Sequence, residues 1–276
     1  MTTLMNKKYL SVSLLAAVLF LVYLPALVDL VYDWYSDSNY SHGFLVPLVS
    51  GWLLWKKRAM LSEIQMSQNS LGLVIVIFGM MLFIIGNGAS EYFTVRLSLV
   101  FTLFGLALYI FGGAMIRKTW FEILFLVFMI PIPYVIYFSA TFPMQLLASK
   151  VTVKLLSIIG MMVVRQGNII HLPGEVLEVA EACSGLRSLI SLLALGAIYA
   201  YMTQRNLAGK IILFLSTIPI AVAGNVFRVF VTALTAYTSD IEVTAKPLHT
   251  IMGLSVFVIA FILLFIFGAI LKKVLK

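Results

Sequence analysis

Leu71-Gly72-Leu73-Val74-Ile75-Val76-Ile77-Phe78-Gly79-Met80-Met81-Leu82-Phe83-Ile84-Ile85-Gly86-Asn87-Gly88-Ala89 carries no charged residue. As a helix it is long enough to cross the ~30 Å hydrocarbon core of a bilayer. Reading outward for stretches of the same kind gives eight candidate spans, at residues 10–31, 43–55, 71–89, 95–115, 120–138, 186–203, 211–237 and 250–271. The second is short and contains Pro47. The first is too long for a signal peptide and has no clear small-residue cleavage site, so it reads as a retained anchor. The expected fold is therefore an all-α polytopic membrane protein of about eight transmembrane helices.

Composition agrees. Hydrophobic residues make up 62% of the chain and charged residues 11%, with mean hydropathy +1.07, outside the range of soluble domains. The net charge of +8 does not signal a nucleic-acid partner, because the basic residues sit in short clusters between apolar runs. Placed on the eight-span layout, 12 of the 19 basic residues fall on one side: Lys7, Lys8, Lys56, Lys57, Arg58, Arg117, Lys118, Arg205, Lys210, Lys272, Lys273 and Lys276. That side is expected to be cytoplasmic, with both termini. The opposite side holds 9 of the 11 acids, among them Glu91, Glu178, Glu181 and Asp240. No internal repeat or low-complexity linker divides the chain, so residues 1–276 read as one integral membrane domain.

The longest stretch outside the spans, residues 139–182, falls on the outer side. From Phe142 to Ile159, Leu146, Leu147, Val151, Leu155 and Ile158 recur at helical steps, as a small interfacial helix requires. Val163 and Val164 then lead into the turn-like Arg165-Gln166-Gly167-Asn168, Ile169 and Ile170 lead out, and Pro173-Gly174 breaks the chain again. This reads as a short β-hairpin before the sixth helix, with a second extended run from Val176 to Val179.

Cys183 is the single cysteine, and it stands at the outer start of the sixth span. The unpaired amides and positive dipole end of a helix N-terminus favour a thiolate, and Arg187 lies one turn further on. Glu178 and Glu181 oppose this if they are close in space, and many membrane cysteines are merely small apolar fillers.

Arg228 lies inside the seventh span, where an arginine costs at least ~2.5 kcal/mol by insertion scales. Asn225, Arg228, Thr232 and Thr235 fall on one stripe of an apolar helix, which points the stripe to a bundle interior or cleft. Snorkelling or pairing with Glu91 or Asp240 is the structural alternative. His249, just before the last span, is a third ionisable group at the same depth. A thiol, a base and an anion clamp are the parts of acyl transfer. No cofactor is called for. A zinc site is not favoured among three histidines and one cysteine, because neither a paired-ligand spacing nor His-Glu-x-x-His occurs.

At these residues the chain resembles the exosortase and archaeosortase family of membrane-embedded cysteine transpeptidases or proteases. Ala182-Cys183-Ser184-Gly185-Leu186-Arg187-Ser188 looks like the family's nucleophile motif, preceded by Leu172-Pro173-Gly174 and Val179-Ala180-Glu181. Pro219-Ile220-Ala221 and Asn225-Val226-Phe227-Arg228-Val229 look like the arginine motif, and His249 stands where exosortases carry a histidine. Ser41-His42-Gly43-Phe44 and the run from Phe125 to Pro133 also fit. The resemblance implies catalytic roles for Cys183, Arg228 and His249, with Arg187, Asn225, Ser184 and His42 in support. It implies secreted protein substrates ending in a Pro-Glu-Pro-type motif, a transmembrane helix and a basic tail. A histidine as the third residue resembles the bacterial branch, so the expected location is a bacterial inner membrane with the site facing the periplasm. Membrane lipid is the other expected partner.

Three rival classes remain on the sequence. A serine enzyme of rhomboid type would use Ser184, although its chemistry prefers Gly-x-Ser-Gly and here Ala182 precedes Cys183-Ser184-Gly185. A carrier or channel for an anionic solute would use Arg228 and be indifferent to Cys183. A non-catalytic component of a polysaccharide export system would be indifferent to Cys183, Arg228 and His249 alike.

Overall fold

The computed structural model describes residues 2–179, 186–238 and 246–275, with side chains described outside 2–12, 186–188, 246–253 and 256. The chain is mostly helical and forms two compact units, Met1–Ile132 and Pro133–Lys276.

In the first unit, α1 (Thr2–Ser36) is followed by a 3₁₀ turn at Ser41–Phe44, α2 (Leu45–Lys56), a short α3 (Arg58–Ser62), α4 (Leu71–Gly88), α5 (Tyr92–Phe111) and α6 (Gly113–Phe125). A second 3₁₀ turn, Leu126–Met129, completes it. The most extensive pairing joins α4 to α5. Gly72, Gly79 and Gly86 recur every seventh residue and are the buried residues of α4. A Cβ on Gly72 would overlap the Tyr109 amide nitrogen, and one on Gly105 would stand 2.7 Å from that of Val76. The two backbones are in van der Waals contact, and only glycine permits that approach in a helix pair where lipid supplies no hydrophobic drive. Tyr23 of α1 is fully buried against α5, its hydroxyl bonded to Ser98 Oγ at 2.8 Å and Thr102 Oγ1 at 3.1 Å.

The α4–α5 turn is set by Glu91, which caps α5 by accepting from the Phe93 and Thr94 amides at 3.1 and 2.7 Å. Burial acts to raise its carboxyl. The Thr94 hydroxyl, the two amides and the charge of Arg96 outweigh that and hold it below the ordinary carboxylate value. Arg96 in turn pairs with Asp33 at 2.7 Å, which ties the end of α1 to the start of α5.

The second unit contains α7 (Tyr134–Ile158), strands β1 (Val164–Gln166), β2 (Ile169–Leu172) and β3 (Glu175–Glu178), then α8 (Leu186–Thr203), α9 (Leu207–Thr238) and α10 (Lys246–Val274). The sheet is an antiparallel meander in the order β1-β2-β3. Each turn uses its sequence. Gly167, at φ 64°, opens the two-residue turn to β2, and Pro173 followed by Gly174, at φ 85°, supplies the fixed and the positive φ of a type II turn to β3. Ile170, Leu172, Leu177 and Val179 bury one sheet face against Ala148 and Leu156 of α7 and Val229 and Ala233 of α9. Helices α8, α9 and α10 pack through Leu192, Ala200, Leu213, Ala221, Ala260 and Leu264.

The layout differs from the sequence reading in three places. Among the described residues, five helices are long and apolar enough to cross a membrane: Ser13–Ser36, Leu71–Gly88, Tyr92–Phe111, Leu207–Thr238 and Phe257–Val274, while the described part of α8, Leu189–Thr203, is apolar but shorter. A sixth results if Gly113–Met129 and Tyr134–Ile158 count as one broken span. At 12 residues, α2 rises about 18 Å, well short of the hydrocarbon core.

The expected continuous span at 120–138 is corrected to α6, a 3₁₀ turn and a new helix, because Pro131 and Pro133 lack amide donors and push the residues before them out of the α region. The expected interfacial helix accordingly begins at Tyr134 and runs through Pro143 as α7. The expected hairpin is present and gains β3, the run from Val176 to Val179 having been read without a partner.

Candidate active site

Helix α9 brings its polar residues inward. Its buried positions, Gly209, Leu213, Thr217, Ala221, Gly224, Asn225, Arg228, Val229 and Ala233, follow the helical period, and the expected stripe lies on that face. Asn225 is 4% exposed and Arg228 8%, so neither side chain snorkels to water. Thr232 and Thr235 are half-buried on the same helix, and Thr235 returns its hydroxyl to the Val231 carbonyl at 2.9 Å.

The sheet meets this face. Leu177, Glu178 and Val179 line one small pocket together with Arg228, Val229 and Thr232. Asn168 fixes that end of β3 from the turn before β2: its carbonyl accepts the Val179 amide at 3.0 Å and its Nδ2 donates to the Val179 carbonyl at 3.3 Å. Ser149 of α7 donates to the Gly167 carbonyl at 3.0 Å, so the same turn is pinned from below. Arg228 thus faces the last residues of a clamped strand, with Glu178 on the pocket wall. Glu178, the acid set against a thiolate in the sequence, is exposed, and its Oε1 accepts from Asn168 Nδ2 at 3.5 Å.

Of the expected site residues, Cys183 and Ser184 lie outside the described residues. Arg187 and His249 are placed as backbone in the first turns of α8 and α10, and their side chains lie outside the described ones. In α10 the first turn also holds Pro247, where a missing N–H leaves no bond unmade. His171 sits half-buried in β2, between Val164 and Val176 in the ladder.

His42 belongs to the first unit. Its turn packs on Trp34, and a Cβ on Gly43 would overlap the indole. Trp34 Nε1 donates to the Met129 carbonyl at 2.8 Å, and His42 Nε2 lies 3.2 Å from the Phe128 carbonyl. That carbonyl can only accept, so Nε2 carries the proton. Burial pushes the imidazole below its ordinary value, against the raising effect of the Phe128 and Asn39 backbone bonds. Ser41-His42-Gly43-Phe44 and the Phe125 to Pro133 run, quoted separately in the sequence, are therefore parts of one packed cluster.

Sequence reasoning missed the strand edge beside Arg228. It also missed a buried ion pair in which Lys57 reaches Glu122 at 2.6 Å, with Glu122 fully buried. Glu122 interrupts an apolar run, and that was its available signal.

The fold and this pocket define a helical membrane protein with a small sheet clamped against a buried arginine. The chain belongs to the transmembrane exosortase family, whose model matches residues 34–266. Members of that family are in general cysteine transpeptidases. No curated protein and no solved structure matches the chain.

Proposed function

We propose that this chain is a membrane cysteine endopeptidase or transpeptidase that cleaves C-terminal sorting signals of secreted proteins at the outer face of a bacterial inner membrane. The signal is a Pro-Glu-Pro-type motif followed by a transmembrane helix and a basic tail. The observation that carries the reading is the shared pocket of Val179 and Arg228. Cys183 is four residues beyond Val179 and three before Leu186, the first residue of α8. Chain reach limits those separations to about 14 and 11 Å. Those two limits are compatible with a Cys183 nucleophile working beside Arg228, and this supports the reading.

In the proposed reaction His249 takes the Cys183 proton, and the sulfur attacks the scissile carbonyl. An S–C bond forms as the carbonyl π-electrons move to oxygen. Arg228 holds that oxyanion, or keeps the thiol ionised beforehand, or both. Collapse breaks the C–N bond, and the leaving amine departs with the proton from His249. Water or an amine acceptor then opens the thioester and restores the thiol. Asn225, Arg187 and Ser184 orient or bind.

The test is co-expression of the wild type and Cys183→Ala with a tagged secreted protein ending in such a signal. Only the wild type is expected to shorten it, and the product mass tells hydrolysis from transfer. Equal shortening by both would remove Cys183 as the nucleophile.

A further inference from the structure

The meander leaves two edges, and the parity of its ladder determines which backbone groups face them. In an antiparallel pair, opposite residues alternate between hydrogen-bonded and non-bonded. Val179 donates to the Asn168 carbonyl, so Leu177↔Ile170 and Glu175↔Leu172 are the bonded pairs of β3 with β2. The two-residue turn at Pro173-Gly174 closes on that same Glu175↔Leu172 pair, in agreement.

The N–H and C=O groups of Val176 and Glu178 consequently point away from β2. Among the described residues no strand pairs with that edge. The side chains divide accordingly, with Leu177 and Val179 buried and Val176 61% exposed. By the same parity Arg165 carries the outward amide on the far edge, that of β1.

An unpaired edge is a template for another extended chain, and proteins ordinarily blunt or cover it. Here the edge runs along a strand whose last residues, Leu177 and Glu178, wall the Arg228 pocket together with the following Val179. We propose that the β3 edge docks the substrate. The segment next to the scissile bond adds as a strand, exchanging main-chain hydrogen bonds with Val176 and Glu178 and setting one alternate side chain toward the pocket. This rests on the peptidase reading above.

A Pro-Glu-Pro-type segment is compatible with such an edge. Because residues alternate, the glutamate directs its N–H and C=O at β3 while both prolines turn their missing donors away from it. Their fixed φ also holds the segment extended before it binds.

The experiment uses the full-length protein in lipid nanodiscs and the tagged reporter with a Pro-Glu-Pro-type signal. Val176→Pro deletes one outward amide and leaves every β2 bond in place. It is expected to cut the initial cleavage rate at limiting substrate by about tenfold. Arg165→Pro makes the same deletion on the remote edge and is expected within about twofold of wild type. Val176→Pro cleaving as fast as Arg165→Pro would overturn the docking edge.

If Val176→Pro is not monodisperse, a synthetic substrate with an ester in place of the glutamate N–H replaces it, used with the wild type. An unchanged rate for that substrate also overturns the edge. The parent reading fails separately, through an intact reporter with wild type or a cut one with Cys183→Ala.

Discussion

Val179, the residue after β3, and Arg228, inside α9, line the same small pocket. A buried arginine facing a strand end in a membrane protein is costly to keep, so its removal separates structural from chemical roles. Arg228→Ala is expected to lower cleavage by about 10²–10³-fold, the scale of losing one oxyanion donor. Alkylation of the lone thiol against pH then assigns the role. A profile moved to higher pH means that the guanidinium ionises Cys183, and an unmoved profile with lower turnover means that it clamps the oxyanion. Wild-type turnover in the variant would leave Arg228 with no part in the reaction.

The α4–α5 pair rests on backbone contact. A Cβ on Gly105 meets the Val76 amide nitrogen at 2.7 Å and the Gly72 carbonyl at 2.9 Å, atoms that cannot rotate aside. Gly105→Ala is expected to destabilise the protein by about 1–3 kcal/mol, the cost of overpacking, and to lower Tm in detergent. Gly51→Ala, with nothing within 4 Å of the added carbon, is the control and is expected to be neutral or mildly stabilising. Equal behaviour of the two would mean that the helices separate freely.

The glycine spacing of α4 was present in the sequence, but an apolar count treats glycine as filler, so the interface it builds was not read there. Apolar length identified the membrane class and the positions of α4, α5, α9 and α10, because those helices must each satisfy the same bilayer thickness. It failed at 120–138, where hydropathy continued through Pro131 and Pro133 while the backbone could not. Turn chemistry at Gly167-Asn168 and Pro173-Gly174 was legible because each turn type demands its residue. The partner of β3 was not, since strand pairing depends on segments folding back rather than on local pattern. The Arg228 stripe was legible from helical period alone. Its meeting with Val179 was not, because nothing local to either residue encodes that contact.

Lys57 and Glu122 illustrate a buried pair whose two partners are unequal in cost. Glu122 is fully buried, and Ser50 also bonds its backbone carbonyl at 2.7 Å. Lys57→Met leaves the carboxylate without its cation and is expected to cost about 3–5 kcal/mol. Adding Glu122→Leu removes the stranded charge and is expected to recover most of that loss, since an apolar pair of similar volume is often neutral. Thermal unfolding of the three proteins in detergent checks both steps. Additive losses in the double variant would show that the two side chains do not depend on each other.

His42 makes the stability of the first unit depend on pH with a definite sign. Its turn is packed on Trp34, and burial favours the neutral ring, so the folded value lies below the ordinary 6.5. Above about pH 6.5 the ring is neutral folded and unfolded alike, and its full contribution is present. As pH falls below 6.5 the unfolded state takes up the proton first, so stability declines until the folded value is passed and then levels off. His42→Asn removes the titrating group and is expected to abolish that part of the slope while lowering stability at pH 8, where the bond to the Phe128 carbonyl is otherwise intact. The measurement is Tm against pH between about 5 and 8 for both proteins. Curves that stay parallel below pH 6.5 would show that His42 titrates identically in both states and that its burial has no energetic consequence.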